Sequence, residues 1–175
     1  LEIGTYDGQT TLILSHLFPN AQITTIDLPE SDPIFKNTYR RNDETKLTEY
    51  KKRQQHNLKR ENINYLEVNS FFISEKIQDR FDLIWVDGGH LFPEISWDLC
   101  NAYHFLNRSG FLMCDDVVIN KSGYRDDYVS PDSFQVFEYI KERITGEIAY
   151  FLKRNSKIWS SNPKKRKNIG VLIKD

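Results

Sequence analysis

A chain of 175 residues can bury one sizeable core but is short for two. Its 24 Lys and Arg against 25 Asp and Glu leave a net charge of -1, which gives no global argument for nucleic acid or a membrane surface as partner. Two cysteines, Cys100 and Cys114, do not make a disulfide framework and fit a reducing, cytoplasmic setting. No apolar run reaches the ~18 residues of a membrane span, and no signal peptide stands out.

Leu1-Glu2-Ile3-Gly4 reads as the end of a buried strand, so the expectation is one domain over 1–175 with an N-terminal segment missing. A helix follows from about Thr10 to Phe18, then strands at Ile23–Ile26 and Ile63–Val68. Between those strands, 32–61 is dense in charge and reads as a solvated helix and loop; interleaved acidic residues rank an RNA-facing patch well below that. Phe81–Val86 is a mostly apolar, fully buried strand, followed by a helix over Pro93–Leu106 and a strand over Gly110–Cys114. A helix over Pro131–Ile144 precedes two strands, Ile148–Leu152 and Ile169–Ile173, around a hairpin whose run Lys164-Lys165-Arg166-Lys167 reads as an exposed tip. Strands alternating with helices predict a parallel sheet covered on both faces, and the last two strands, with no helix between them, predict an antiparallel edge.

Leu-Glu-Ile-Gly-Thr-Tyr-Asp-Gly ends the first strand and opens a helix. Gly4 and Gly8 permit a tight turn and a close backbone approach to a ligand, and the helix start beyond offers free N–H groups. The spacing Gly-x-x-x-Gly is looser than the cluster a dinucleotide pyrophosphate needs, and Glu2 suits a ligand with a positive amino group. Either feature alone is equally a plain strand–turn–helix corner. The second strand ends at Asp27, where a carboxylate can accept both hydroxyls of a ribose or simply cap a turn.

Taken together, Glu2, Gly4, Gly8 and Asp27 resemble the cofactor signature of the class I S-adenosylmethionine-dependent methyltransferases, and the resemblance runs through nearly the whole chain. It implies an α/β fold: a doubly wound, mostly parallel Rossmann-like sheet with an antiparallel C-terminal edge strand. It further implies that Glu2, Gly4 and Tyr6 lie along the methionine part of S-adenosylmethionine, with Gly8 also a cofactor-binding residue. Asp27 would hold the ribose, and Asn69, Ser70 and Phe71 would lie near the adenine.

Two further pieces end the fourth and fifth strands: Trp85-Val86-Asp87-Gly88-Gly89-His90 and Leu112-Met113-Cys114-Asp115-Asp116-Val117. Carboxylates at neighbouring strand ends converge on the ligand crevice of an open α/β sheet, and gathering three of them calls for a cation. Oxygen ligands alone favour Mg²⁺. The competing reading has Asp87 and Asp115 capping loops and Asp115-Asp116 forming a surface turn. His90, three residues past Asp87, can take a hydroxyl proton near neutral pH or merely bond the helix start after it. His16, His56 and His104 fall in helical or polar contexts and are assigned nothing.

These residues narrow the resemblance to metal-dependent O-methyltransferases, of the kinds that methylate catechols and macrolide sugars. That likeness implies Asp87, Asp115 and Asp116 as metal ligands, Asp87 also beside the cofactor, and His90 as proton acceptor. The substrate would be the hydroxyl of a small molecule or sugar, with no membrane partner and self-association left open. Lys121, Tyr124, Arg125 and Asp126 to Tyr128 read as a substrate-contacting loop or a plain surface loop. Three alternatives stay open: a metal-free methyltransferase, a non-catalytic cofactor-binding module, and a nicotinamide-binding protein that the glycine spacing disfavours.

Overall fold

The structure is a computed structural model and describes residues 1–39, 41–119, 130–144, 146–153 and 166–175. Seven strands form a mostly parallel sheet with antiparallel C-terminal strands, the doubly wound α/β class expected from the alternating pattern. The chain divides into two compact units, Leu1–Ile77 and Gln78–Asp175.

In the first unit, β1 (Glu2–Ile3), β2 (Ile23–Asp27) and β3 (Ile63–Glu67) are parallel with β2 in the middle, Glu2 opposite Thr25 and Asp27 opposite Glu67. Both strands beside β2 thus carry their loops to the end where Asp27 sits. The helix α1 (Gln9–Leu17) starts at Gly8, whose φ is 76°. A Cβ there would meet Leu58 Cδ2 at 2.9 Å and Asn57 Cβ at 3.2 Å, so both the backbone angle and the space demand glycine. The next helix, α2 (Glu44–Asn57), is capped by Asp43, which accepts from the Lys46 N–H at 3.2 Å, and only Tyr50 on it is buried. A 3-10 turn over Ser70–Phe72 and the short helix α3 (Ile73–Lys76) follow β3 and close the unit over Ile73.

In the second unit, β4 (Phe81–Val86) pairs in parallel with β5 (Leu106–Val117). The strand β7 (Asn168–Lys174) runs antiparallel to β5 on one side and to β6 (Gly146–Leu152) on the other. The helices α4 (Glu94–Phe105) and α5 (Asp132–Lys141) turn Ile95, Leu99, Phe134 and Phe137 inward to join Ile84, Val86, Leu112 and Leu172 in the core. Each such side chain contributes about 1.5–3 kcal/mol on burial.

The strand β5 departs from expectation at both ends. It begins at Leu106, because Ser109 at φ 58° absorbs the Arg-Ser-Gly segment that reads as a turn. Near its other end the pairing with β7 shifts register between Cys114 and Val117, and Asp116 stands at φ 53°. This is a bulge: Asp115 and Asp116 together oppose one residue of β7, which re-aims two neighbouring side chains that a regular strand would send to opposite faces. Among the described residues, no helix is long and apolar enough to cross a membrane.

Candidate functional site

The turn after β1 is pinned from two sides. The Gly4 and Thr5 N–H groups donate to the Ile26 carbonyl at 2.9 and 3.1 Å, and the Tyr6 N–H donates to Asp27 Oδ2 at 2.9 Å. Gly4, Tyr6 and Gly8 all take positive φ (101°, 46° and 76°), so every second residue of the turn lies in a strained or glycine-favouring region. From the other side, α2 grips the same turn. Gln54 Nε2 donates to the Tyr6 carbonyl and Asn57 Nδ2 to the Asp7 carbonyl, each at 2.8 Å, while Arg53 pairs with Asp7 at 3.2 Å. Tyr50, Gln54 and Asn57 recur at the spacing of one helix face. The charged segment is therefore not simply solvated: one polar face of it holds the glycine turn.

Glu2 is fully buried, and its Oε2 accepts from the Thr11 and Thr25 hydroxyls, the latter at 2.5 Å. Its carboxylate ties β1, α1 and β2 together.

Asp27 carries the densest set of contacts. Its Oδ1 accepts from the Leu28 N–H at 2.7 Å, and its Oδ2 accepts from Tyr6 N–H and from Arg41 Nη2 at 3.0 Å. Arg41 is only 3% exposed. Its guanidinium lies over the rings of Phe35 (4.5 Å) and Tyr50 (4.6 Å), with Tyr39 and Tyr6 at 5.8 and 5.9 Å, and donates to the Tyr50 hydroxyl at 3.1 Å. Burial, and then the nearby Asp27 charge, push the Tyr50 hydroxyl well above the usual tyrosine pKa, which keeps it neutral.

The strand-three loop joins the end of β2 through the backbone, since Val68 N–H donates to the Asp27 carbonyl at 2.9 Å. Asn69 caps the next turn, accepting from Phe71 N–H at 3.0 Å and donating to Asp32 at 2.7 Å. Phe71 is 40% exposed. Gly4, Tyr6, Gly8, Asp27, Asn69, Ser70 and Phe71 thus gather at one end of the first unit's strands.

In the second unit, His90 Nε2 lies 3.4 Å from Asp87 Oδ1, and both side chains are about a quarter to a third exposed, at 26% and 30%. His90 Nδ1 meets no hydrogen-bond partner among the described residues. Asp115 and Asp116 meet lysines instead. Lys153 Nζ donates to Asp115 Oδ2 and, at 3.0 Å, to Asp116 Oδ1; Lys167 Nζ donates to Asp116 Oδ2. Burial raises the Asp115 pKa against the pull of Lys153. Burial also acts on Asp116, but the hydrogen bonds from Lys167 and Lys153 outweigh it and hold that pKa below the usual carboxylate range.

This geometry does not support the expected Mg²⁺ set. Among the described residues, no group of three or more His, Cys, Asp or Glu side chains is arranged to hold a metal ion. Both Asp116 oxygens and one Asp115 oxygen already face ammonium groups, and a divalent ion would have to enter beside two positive charges. Lys167, read as part of an exposed tip, is only 26% exposed at the side chain; Lys164, Lys165 and the 121–128 loop residues lie outside the described residues. Arg41, Tyr50, Gln54, Lys153 and Lys167 were not singled out from the sequence as site residues. Only the helix-face spacing of Tyr50, Gln54 and Asn57 could have signalled any of them, and it is a polar face to which hydrophobic periodicity is blind.

Residues 1–117 match a family described as a methyltransferase domain. No protein among those with curated descriptions matches the chain. Solved structures share its fold. Cofactor-bound Rv0187 from MTB superposes with a TM-score of 0.65 at 14% identity, over 98% of this chain and 70% of that one. The O-methyltransferase TomG from Streptomyces achromogenes, involved in tomaymycin synthesis and solved with S-adenosylmethionine, gives 0.59 at 13% over 98% and 70%. The N-methyltransferase NodS from Bradyrhizobium japonicum gives 0.59 at 16% over 99% and 83%.

Proposed function

The chain belongs to that methyltransferase family, and from this premise we propose that it transfers the methyl group of S-adenosylmethionine to a hydroxyl of a small molecule or sugar, without help from a divalent metal. The observation that carries the hydroxyl reading is the Asp87–His90 pair, an imidazole beside a carboxylate with both side chains partly exposed. When bound, the cofactor supplies a methyl group on a positive sulfur, ready for in-line displacement.

The chain's own residues fit that cofactor in the first unit. Asp27, steadied by the Tyr6 and Leu28 N–H groups, would take the ribose hydroxyls while its Oδ2 keeps the Arg41 guanidinium. Asn69, Ser70 and Phe71 would frame the adenine, and the Gly4–Gly8 turn would carry the methionine part. On the acceptor side, the imidazole of His90 would take the proton of the acceptor hydroxyl as that oxygen received the methyl group and the sulfur–carbon bond broke. Asp87, facing Nε2, stabilises the imidazolium that results. TomG and NodS carry O- and N-methylation on this fold, so amine acceptors form a second arm of the assay.

The test uses labelled S-adenosylmethionine with a panel of sugar, phenol and amine acceptors. His90→Ala should lower transfer to hydroxyls by roughly 10²–10⁴-fold while cofactor binding holds. Transfer unchanged in that variant, or seen only with amines, defeats the hydroxyl reading.

A further inference from the structure

A pair of adjacent carboxylates, Asp115 with a side chain 7% exposed and Asp116 at 23%, cannot sit uncompensated at a strand end. The compensation is built into the far end of the sheet. Leu152 pairs with Asn168, and the Lys153 N–H donates to the Lys167 carbonyl at 3.0 Å, so the two lysines are cross-strand neighbours at the base of the β6–β7 hairpin. Asn168 in turn pairs with Val117, which sets the hairpin base beside the bulge, and Asn168 Nδ2 donates to the Val117 carbonyl at 3.1 Å. The bulge brings the two aspartates to one place, and the hairpin brings the two ammonium groups to the same place.

We propose that Lys153 and Lys167 are the resident cations of the Asp115–Asp116 bulge, standing where a divalent ion would have to bind, so that this acidic pair works without metal. Lys153 bridges both carboxylates with two of its three donors, while Lys167 closes the outer oxygen of Asp116. Burial opposes the Lys153 charge, but its hydrogen bonds to Asp115 and Asp116 prevail and raise its pKa above the ordinary lysine value, so it serves as a fixed cation and not as a base. The lysines are positioning residues: they hold the orientation and charge of Asp115, whose Oδ1 is buried with no hydrogen-bond partner among the described residues.

The inference rests on reading these carboxylates as the acceptor end of a methyltransferase, and the two fail separately because the test reads metal binding. Mn²⁺ is titrated into the full chain and followed by paramagnetic resonance, with Mg²⁺ calorimetry alongside. The wild-type protein should show no site in the millimolar range. Removing both ammonium groups, in Lys153→Met with Lys167→Met, should create a Mn²⁺ site at least about ten-fold tighter, since two repelling charges leave its immediate neighbourhood. Adding Asp116→Asn should remove that site again. Lys153→Gln, polar and close in length, serves if the double variant does not fold, with the same gain expected. A wild-type Mn²⁺ site that Asp115→Asn abolishes overturns the proposal, and so does a lysine variant that gains no Mn²⁺ site.

Discussion

Asp27 and the Asp115–Asp116 pair each end a strand and each hold a cation from elsewhere in the chain, yet their surroundings differ. Arg41 is 3% exposed, stacked among aromatic rings and bonded to Tyr50 as well as Asp27. Lys153 and Lys167 are 24% and 26% exposed and reach the carboxylates from the base of a hairpin. A guanidinium is planar and weakly hydrated and tolerates burial against rings; an ammonium is compact and strongly hydrated and keeps part of its shell in water. The first pair is thus a structural rivet at the end of β2, and the second is a replaceable counter-charge.

The largest expected effect tests that difference in stability. Arg41→Ala leaves Asp27 buried without its partner and should cost roughly 3–5 kcal/mol in denaturant unfolding. Lys153→Met, with Lys167 still present and solvent nearby, should cost only about 1–2 kcal/mol. Equal losses would erase the distinction between rivet and counter-charge. Next, Asp27→Ala should weaken S-adenosylmethionine binding by roughly 1–3 kcal/mol in calorimetry, the scale of hydrogen bonds lost to a charged acceptor. Undiminished affinity would remove Asp27 from the ribose role and leave it as the anchor of Arg41 alone.

A pH series sharpens the second pair. The folded-state pKa of Lys153 is raised, so its contribution is complete below the unfolded lysine value of about 10.4 and is lost as pH rises through the folded value. The Asp116 pKa is lowered, so its contribution is complete above the unfolded value of about 3.9 and is lost as pH falls through the folded value. The stability gap between wild type and Lys153→Met should therefore close at the alkaline end; a gap that persists there means the lost packing of the side chain, not its charge, sets the cost. The smallest effect concerns the rivet. Tyr50→Phe removes the hydroxyl that accepts from Arg41 and Gln54 and should cost about 1 kcal/mol. No loss at all would show that the rings alone hold the guanidinium.

Much of the fold was legible in local pattern. Phe81–Val86, an apolar run, is β4 from end to end, and Ile23–Asp27 and Ile63–Glu67 lie within one residue of the strands read from β-branched runs. The start of β5 was not legible, because Asn-Arg-Ser-Gly carries turn chemistry and only its pairing partner, Phe81 opposite Leu106, keeps it in the strand. Asp87 and His90 were legible as a pair because only Gly88 and Gly89 separate them.

By itself the sequence determined the alternation of strands and helices, the place of the glycine turn, and which carboxylates stand at strand ends, since all of these follow from periodicity and local backbone preference. What those carboxylates hold was decided only by tertiary structure. Arg41 reaches Asp27 from 14 positions away, and Lys153 and Lys167 reach Asp116 from 37 and 51. A lysine or arginine in a charged run reads the same whether it ends in water or against an aspartate. The bulge in β5, the base of the hairpin and the rings around Arg41 settle which, because they bring opposite charges together where burial makes a vacant partner costly.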